Sequence, residues 1–143
     1  MQARKAVVHM KIMRSAEDYL EAMLMLKERH GYIRSIDIAT ELNVTKPSVS
    51  YATKRLAENG YIQKGSGSAI TLTDAGMEIA SRIYERHKVL TYLLLRLGVD
   101  ESHAREDACK IEHDLSVETF DRIRDYAYAL QAEEAKAKKE GAD

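Results

Sequence analysis

Apolar residues recur with helical spacing at Tyr19, Leu20, Met23, Leu24 and Leu26, which predicts a first helix with one buried stripe. Ser15 stands ahead of that stripe with Asp18 three residues on, a capping-box-like start, and His30-Gly31 ends it. The preceding stretch is mixed and basic, so residues 1–14 read as a flexible tail. Ile36, Ala39 and Leu42 mark a short helix from Ser35 to Leu42, followed by a tight turn at Asn43-Val44. Thr45 then caps a third helix with Pro47 in its first turn, where a missing N–H costs nothing. Val49, Ala52 and Leu56 form its inner face, and Asn59-Gly60 closes it.

Two short apolar strands, Tyr61–Lys64 and Ala69–Leu72, flank Gly65-Ser66-Gly67-Ser68 and predict a hairpin. Thr73 caps a long fourth helix reaching about Leu97, and Gly98-Val99-Asp100 breaks it. A fifth helix is expected from Glu101 to Leu115, and Ser116 caps a sixth beginning near Val117. After Gln131 the chain is Ala, Glu and Lys, a fraying helix end. Helix, short helix, tight turn, helix and hairpin follow the order of a winged helix-turn-helix. The fold class is therefore mainly α, with a winged helix-turn-helix and small β-hairpin wing at 15–73 and an all-helical domain at 74–143.

Composition narrows the function classes. The 143 residues are 45% hydrophobic and 31% charged, which excludes a disordered chain. No apolar run approaches the ~18 residues of a membrane span, and Met1–Ile12 lacks the apolar core and cleavage site of a signal peptide. The single cysteine, Cys109, suits a reducing cytoplasm. The net charge of −1 hides an asymmetry: residues 1–64 carry 11 Lys and Arg against 7 Asp and Glu, and residues 65–143 carry 11 against 16. A half at +4 and a half at −5 point, weakly, to DNA for the first and a cationic partner for the second.

In a winged helix-turn-helix the helix after the turn enters the major groove. Here that helix offers Lys46, Pro47, Ser48, Ser50, Tyr51, Lys54 and Arg55, and the wing adds Lys64. Short hydroxyls near a helix N-terminus reach bases or phosphates, and the lysines and arginine neutralise backbone charge. Taken singly each is an ordinary solvated side chain; the turn and the hairpin together favour DNA.

Cys109, Glu112 and His113 stand at i, i+3 and i+4, one face of a helix. Thiolate, carboxylate and imidazole are plausible ligands of a first-row transition metal. The spacing leaves open a small core cysteine, a surface carboxylate and a packed histidine. Asp18 and Glu21 share a face of the first helix, and His87 lies midway along the fourth.

Ala16-Glu17-Asp18-Tyr19-Leu20-Glu21, Asp37-Ile38-Ala39, Thr73-Asp74-Ala75-Gly76, Arg86-His87 and Ala108–Ser116 resemble the diphtheria toxin repressor and manganese transport regulator family, from about Ser15 to Tyr126. The resemblance implies a homodimer whose helical domain binds metal and dimerises. It also implies Fe(II)- or Mn(II)-activated repression of metal-uptake genes at a palindromic operator, with no enzymatic activity. Family ligands map onto Asp18, Glu21, His87, Cys109, Glu112 and His113, for one or two ions per subunit. The manganese branch has a carboxylate where this chain has Cys109, and the iron branch a thioether where it has Asp18, so the chain is a hybrid. The ancillary site of the iron branch is incomplete, with Thr91 and Arg105 at its glutamate and histidine positions. The residues after Tyr126 are too few for the SH3-like domain of longer members. Two rival readings are a winged-helix regulator indifferent to metal and a small metalloenzyme; the chain shows no separate nucleophile or phosphate loop to support the second.

Overall fold

The computed structural model describes residues 2–67 and 69–141, with side chains described from Arg14 onward. Among the described residues six helices follow in the order α1 (Gln2–His30), α2 (Ser35–Leu42), α3 (Lys46–Glu58), α4 (Asp74–Arg96), α5 (Glu101–Ile111) and α6 (Val117–Gly141). Three strands, β1 (Ile33–Arg34), β2 (Ile62–Lys64) and β3 (Ala69–Leu72), form one antiparallel sheet in the order β1-β3-β2. The chain divides into two compact units, Met1–Tyr84 and Glu85–Asp143, so the division falls inside α4 rather than at its cap. Among the described residues no helix is long and apolar enough to cross a membrane.

The first unit is organised around α1. Tyr19, Leu20, Ala22, Met23, Leu24 and Leu26 are all buried, so the helix is apolar on most of its circumference over these turns. Ile33, Ile38, Val49, Leu56, Ile62, Ile70 and Ala80 complete the same core. Two expectations are corrected here. Helix α1 starts at Gln2, so Ser15 is an interior helical residue and not a cap; no Gly or Pro between Gln2 and Arg14 interrupts it. On α2 the buried residue is Ile38, while Ile36 is about half exposed. The eight residues of α2 turn only about two times, too few for a periodicity to fix the face.

The turn between α2 and α3 rests on Asn43, which closes α2 in the left-handed conformation at φ 52° and ψ 50°. Asparagine tolerates this region better than most L-residues. Thr45 follows as the N-cap of α3, its hydroxyl accepting from the Ser48 N–H at 3.3 Å. In the sheet, Ile62 faces Leu72 and Lys64 faces Ile70, while the two-residue β1 pairs Ile33 with Ile70. Thr73 ties the hairpin to α4: its hydroxyl donates to the Gly60 carbonyl at 2.7 Å and accepts from the Gly76 N–H at 3.2 Å.

The second unit holds a smaller core of Val89, Phe120 and Ala127, with Tyr92, Leu93, Leu115 and Ile123 packed on it. Asp100 caps α5 by accepting from the His103 N–H at 3.0 Å. Helix α5 stops at Ile111, shorter than the expected Leu115, and Ser116 caps α6 by accepting from the Thr119 N–H at 3.1 Å. Helix α6 continues unbroken to Gly141, past the expected fraying point at Gln131.

Candidate functional site

Each unit carries part of the candidate set of functional side chains. In the first, α3 presents Lys46, Pro47, Ser48, Ser50, Tyr51, Lys54 and Arg55, all exposed, and Lys64 is exposed on β2. The opposite face buries Val49, Thr53 and Leu56. Thr53 is the inward residue the apolar pattern missed, because its hydroxyl is satisfied within the helix by the Ser50 carbonyl at 3.2 Å. Tyr51 and Arg55, one turn apart, form a unit: the Arg55 guanidinium donates to the Tyr51 hydroxyl at 2.9 Å and lies 5.6 Å from the ring centroid. That restraint reduces the entropy lost when the arginine engages a partner. Thr45 and Ser48 hydroxyls lie 2.8 Å apart at the N-terminal end of α3, where the helix dipole favours phosphate.

In the second unit, three of the expected ligands meet around one carboxylate. Glu112 is fully buried just past the end of α5, with its N–H still bonded to the Ala108 carbonyl at 3.0 Å. Its Oε2 lies 3.1 Å from His87 Nδ1 on α4, and its Oε1 lies 3.4 Å from His113 Nε2. The side chains of His87 and His113 are 15% and 3% exposed. Each imidazole stands beside a different oxygen of the carboxylate, and each histidine–carboxylate pair has the donor separation of about 3 Å that two ligands of one divalent first-row ion at ~2.1 Å would have.

The remaining expected ligands are placed differently. Asp18 and Glu21 belong to the first unit, one turn apart on α1, with Asp18 partly buried and Glu21 buried. Cys109 is on α5 but exposed. The buried stripe of α5 is Ala104, Ala108 and Glu112, spaced by four. Cys109 is rotated about 60° from Glu112 around the helix axis, enough to bring it to the exposed side.

One residue of this site escaped the sequence reading. Arg86 is buried, and its Nη1 donates to the carbonyls of Glu112 at 2.9 Å and Leu115 at 2.8 Å. Beside His87 and Lys88 it looks like part of a solvated charged patch. The signal was in the period: Ile83, Val89 and Leu90, at three and four residues from it, are all buried.

Two family descriptions match the chain in sequence order. Residues 11–67 match the iron-dependent repressor N-terminal DNA-binding domain, and residues 73–135 match the iron-dependent repressor metal-binding and dimerisation domain. An uncharacterised helix-turn-helix transcriptional regulator of Methanocaldococcus jannaschii is 39% identical over 112 residues, covering 77% of this chain and 90% of its own length. The helix-turn-helix transcriptional regulator MntR of Bacillus subtilis is 36% identical over 124 residues, 87% of each chain. Among solved structures, a manganese-dependent transcriptional repressor in complex with manganese superposes with a TM-score of 0.71 at 27% identity, covering 78% of this chain. The chain spans about half the length of that protein, 52% of it.

Proposed function

The chain belongs to the iron-dependent repressor family, and from that membership we propose that it is a homodimeric transcriptional repressor activated by Fe(II) or Mn(II) to control metal-ion homeostasis. The observation that carries the reading is the fully buried Glu112 carboxylate with an imidazole beside each of its oxygens, His87 at 3.1 Å and His113 at 3.4 Å, in a domain whose family binds metal. The family is one of repressors, not enzymes.

We assign Asp18, Glu21, His87, Glu112 and His113 as the residues that would hold the metal, with Cys109 as the member whose thiolate sets metal preference. Bound there, the ion supplies positive charge that lets several carboxylates sit together without repelling one another. The work of the chain's own residues follows from their elements. Glu112 and His113 are held by the turn after α5, His87 by α4, and Asp18 and Glu21 by the helix that forms the core of the DNA-binding unit. Ligation from both units would couple the position of α3 to metal occupancy. A coupling of roughly 1–3 kcal/mol is a 5- to 150-fold change in operator affinity.

DNA is read by α3, with Ser48, Ser50 and Tyr51 toward base edges or phosphates and Lys46, Lys54, Arg55 and Lys64 toward phosphates. Two copies of α3 in a dimer would address half-sites about one helical turn of DNA (~34 Å) or a multiple apart, which makes the operator palindromic. Dimer contacts come from the second unit, where Leu97 and Ile111 are exposed apolar residues beside the partly buried Leu93 and Leu94. The protein works in the cytoplasm, where its DNA and a reduced thiol are both accommodated.

The test is operator binding measured without metal, with a strong chelator, and with Mn(II), Fe(II) or Zn(II) in turn. Tight binding only with Mn(II) or Fe(II) is expected. Equal binding in chelator rejects the metal gate and leaves a winged-helix regulator of another kind.

A further inference from the structure

Arg86 occupies a position that a hydrophobic residue would fill at lower cost. It is 7% exposed, its Nε makes no hydrogen bond to the described residues, and its guanidinium lies 5.0 Å from the centre of the Phe120 ring. Burying a guanidinium with an unsatisfied nitrogen opposes folding. The compensation is local and directed at backbone. One nitrogen, Nη1, spans the carbonyls of Glu112 and Leu115, which bracket the turn between α5 and α6. These are late carbonyls of a helix end and its turn, groups that need donors when buried.

That turn carries Glu112 and His113 themselves. Arg86 is also the immediate neighbour of His87 on α4. One side chain therefore connects the backbone of α4 at His87 to the backbone that presents the other two donors, and it does so without occupying the Glu112 carboxylate. Its two bonds go to main-chain oxygens, so the carboxylate oxygens face His87 and His113.

Resting on the metal-site reading above, we infer that Arg86 is a positioning residue for the metal donors: it clamps the turn after α5 so that Glu112 meets His87 and His113 at fixed separations. The stack on Phe120 holds the guanidinium plane. A lysine offers the charge and can reach a carbonyl but lacks the planar group that stacks. A methionine fills the space and supplies no donor.

The experiment uses the full chain as wild type, Arg86→Lys and Arg86→Met. Three quantities are read: Mn(II) affinity from the free-ion electron paramagnetic resonance signal, the intensity of the Co(II) d–d bands, and the metal-free unfolding midpoint with the dimer fraction. The expected result is Mn(II) affinity down by about 10- to 100-fold in Arg86→Met, as for other groups that orient metal ligands. Arg86→Lys should fall between Arg86→Met and wild type. The Co(II) bands should change intensity in Arg86→Met, since donor geometry governs them, while both metal-free variants stay folded and dimeric.

Wild-type affinity and an unchanged Co(II) spectrum in both folded variants overturn the inference. So does loss of the metal-free fold in both, which would make Arg86 a residue of the core alone. If wild type itself binds neither Mn(II) nor Co(II), the metal-site reading fails instead, and the two failures are told apart by that control.

Discussion

Glu112 and Cys109 were suggested by the same three-residue spacing, yet the fold treats them in opposite ways. Glu112 is fully buried against two imidazoles, and Cys109 is exposed. Glu112 and His113 are adjacent in the chain just past the end of α5, and their side chains are 0% and 3% exposed. The spacing could not tell that Ala104 and Ala108 define the buried stripe, because alanine carries a weak hydrophobic signal. The two residues therefore predict different phenotypes. Glu112→Gln keeps the shape and removes the charge, and should lower Mn(II) and Fe(II) affinity by more than about tenfold with the fold intact; titration calorimetry showing wild-type affinity would remove Glu112 from the ligand set. Cys109→Glu replaces a thiolate with an oxygen donor and should move activation from Fe(II) toward Mn(II). DNA-binding activation curves for the two metals under anaerobic conditions check it, and coincident curves for wild type and variant would return Cys109 to the surface.

At the scale of elements, caps and turns were the most legible features. Thr45, Thr73 and Ser116 each accept the backbone N–H three residues on, because the first N–H groups of a helix have no intrahelical acceptor. The two-residue β1 was not legible: Ile33 and Arg34 are too few to alternate, and only pairing with β3 makes them a strand. Gly76 closes the Thr73-Asp74-Ala75-Gly76 stretch for a steric reason. A Cβ there would lie 2.0 Å from the Tyr61 carbonyl oxygen, a backbone atom that cannot swing aside. Gly76→Ala gains about 1 kcal/mol of helix propensity and forces the start of α4 away from the hairpin at a cost of roughly 1–3 kcal/mol or more. The clash should win, lowering the denaturation midpoint; a raised midpoint would mean the junction is slack.

The cap of α5 carries a pH dependence. Hydrogen bonds from the His103 backbone and side chain hold the Asp100 carboxyl below its ordinary 3.8, and the Asp100 side chain holds the His103 imidazole above its ordinary 6.5. The raised histidine contributes stability that is complete below 6.5 and lost as pH rises through its folded value. The lowered carboxylate contributes stability that is complete above 3.8 and lost as pH falls through its folded value. The pair is thus fully formed between these limits, and both groups are exposed enough for salt to weaken it. An NMR titration should place the His103 midpoint above 6.5, and Asp100→Asn, which keeps the cap, should return it toward 6.5. An unmoved midpoint in that variant would break the assigned cause.

For the whole molecule, the order of elements and the succession of a DNA-binding and a helical metal-binding domain were readable. The functional claim at this scale is that metal and operator bind as coupled ligands. Coupling has a consequence independent of any structural detail: whatever factor the metal adds to operator affinity, the operator must add to metal affinity. The prediction is therefore reciprocal. If Mn(II) tightens operator binding by a factor within about 5–150, titration of the protein with Mn(II) should give an affinity higher by the same factor when saturating operator is present, and no gain with a scrambled duplex of equal length. Both arms must be run at one salt concentration, because the phosphate contacts proposed for Lys46, Lys54 and Lys64 would make operator affinity steeply salt-dependent. Lys54→Ala separates the terms: it should weaken the operator at every metal concentration and flatten the salt slope by about one unit, leaving the coupling factor unchanged. Metal affinity that ignores the operator, alongside operator affinity that follows the metal, would violate linkage and show that the metal acts on something other than this protein's own equilibrium. Indifference in both arms would reject gating outright.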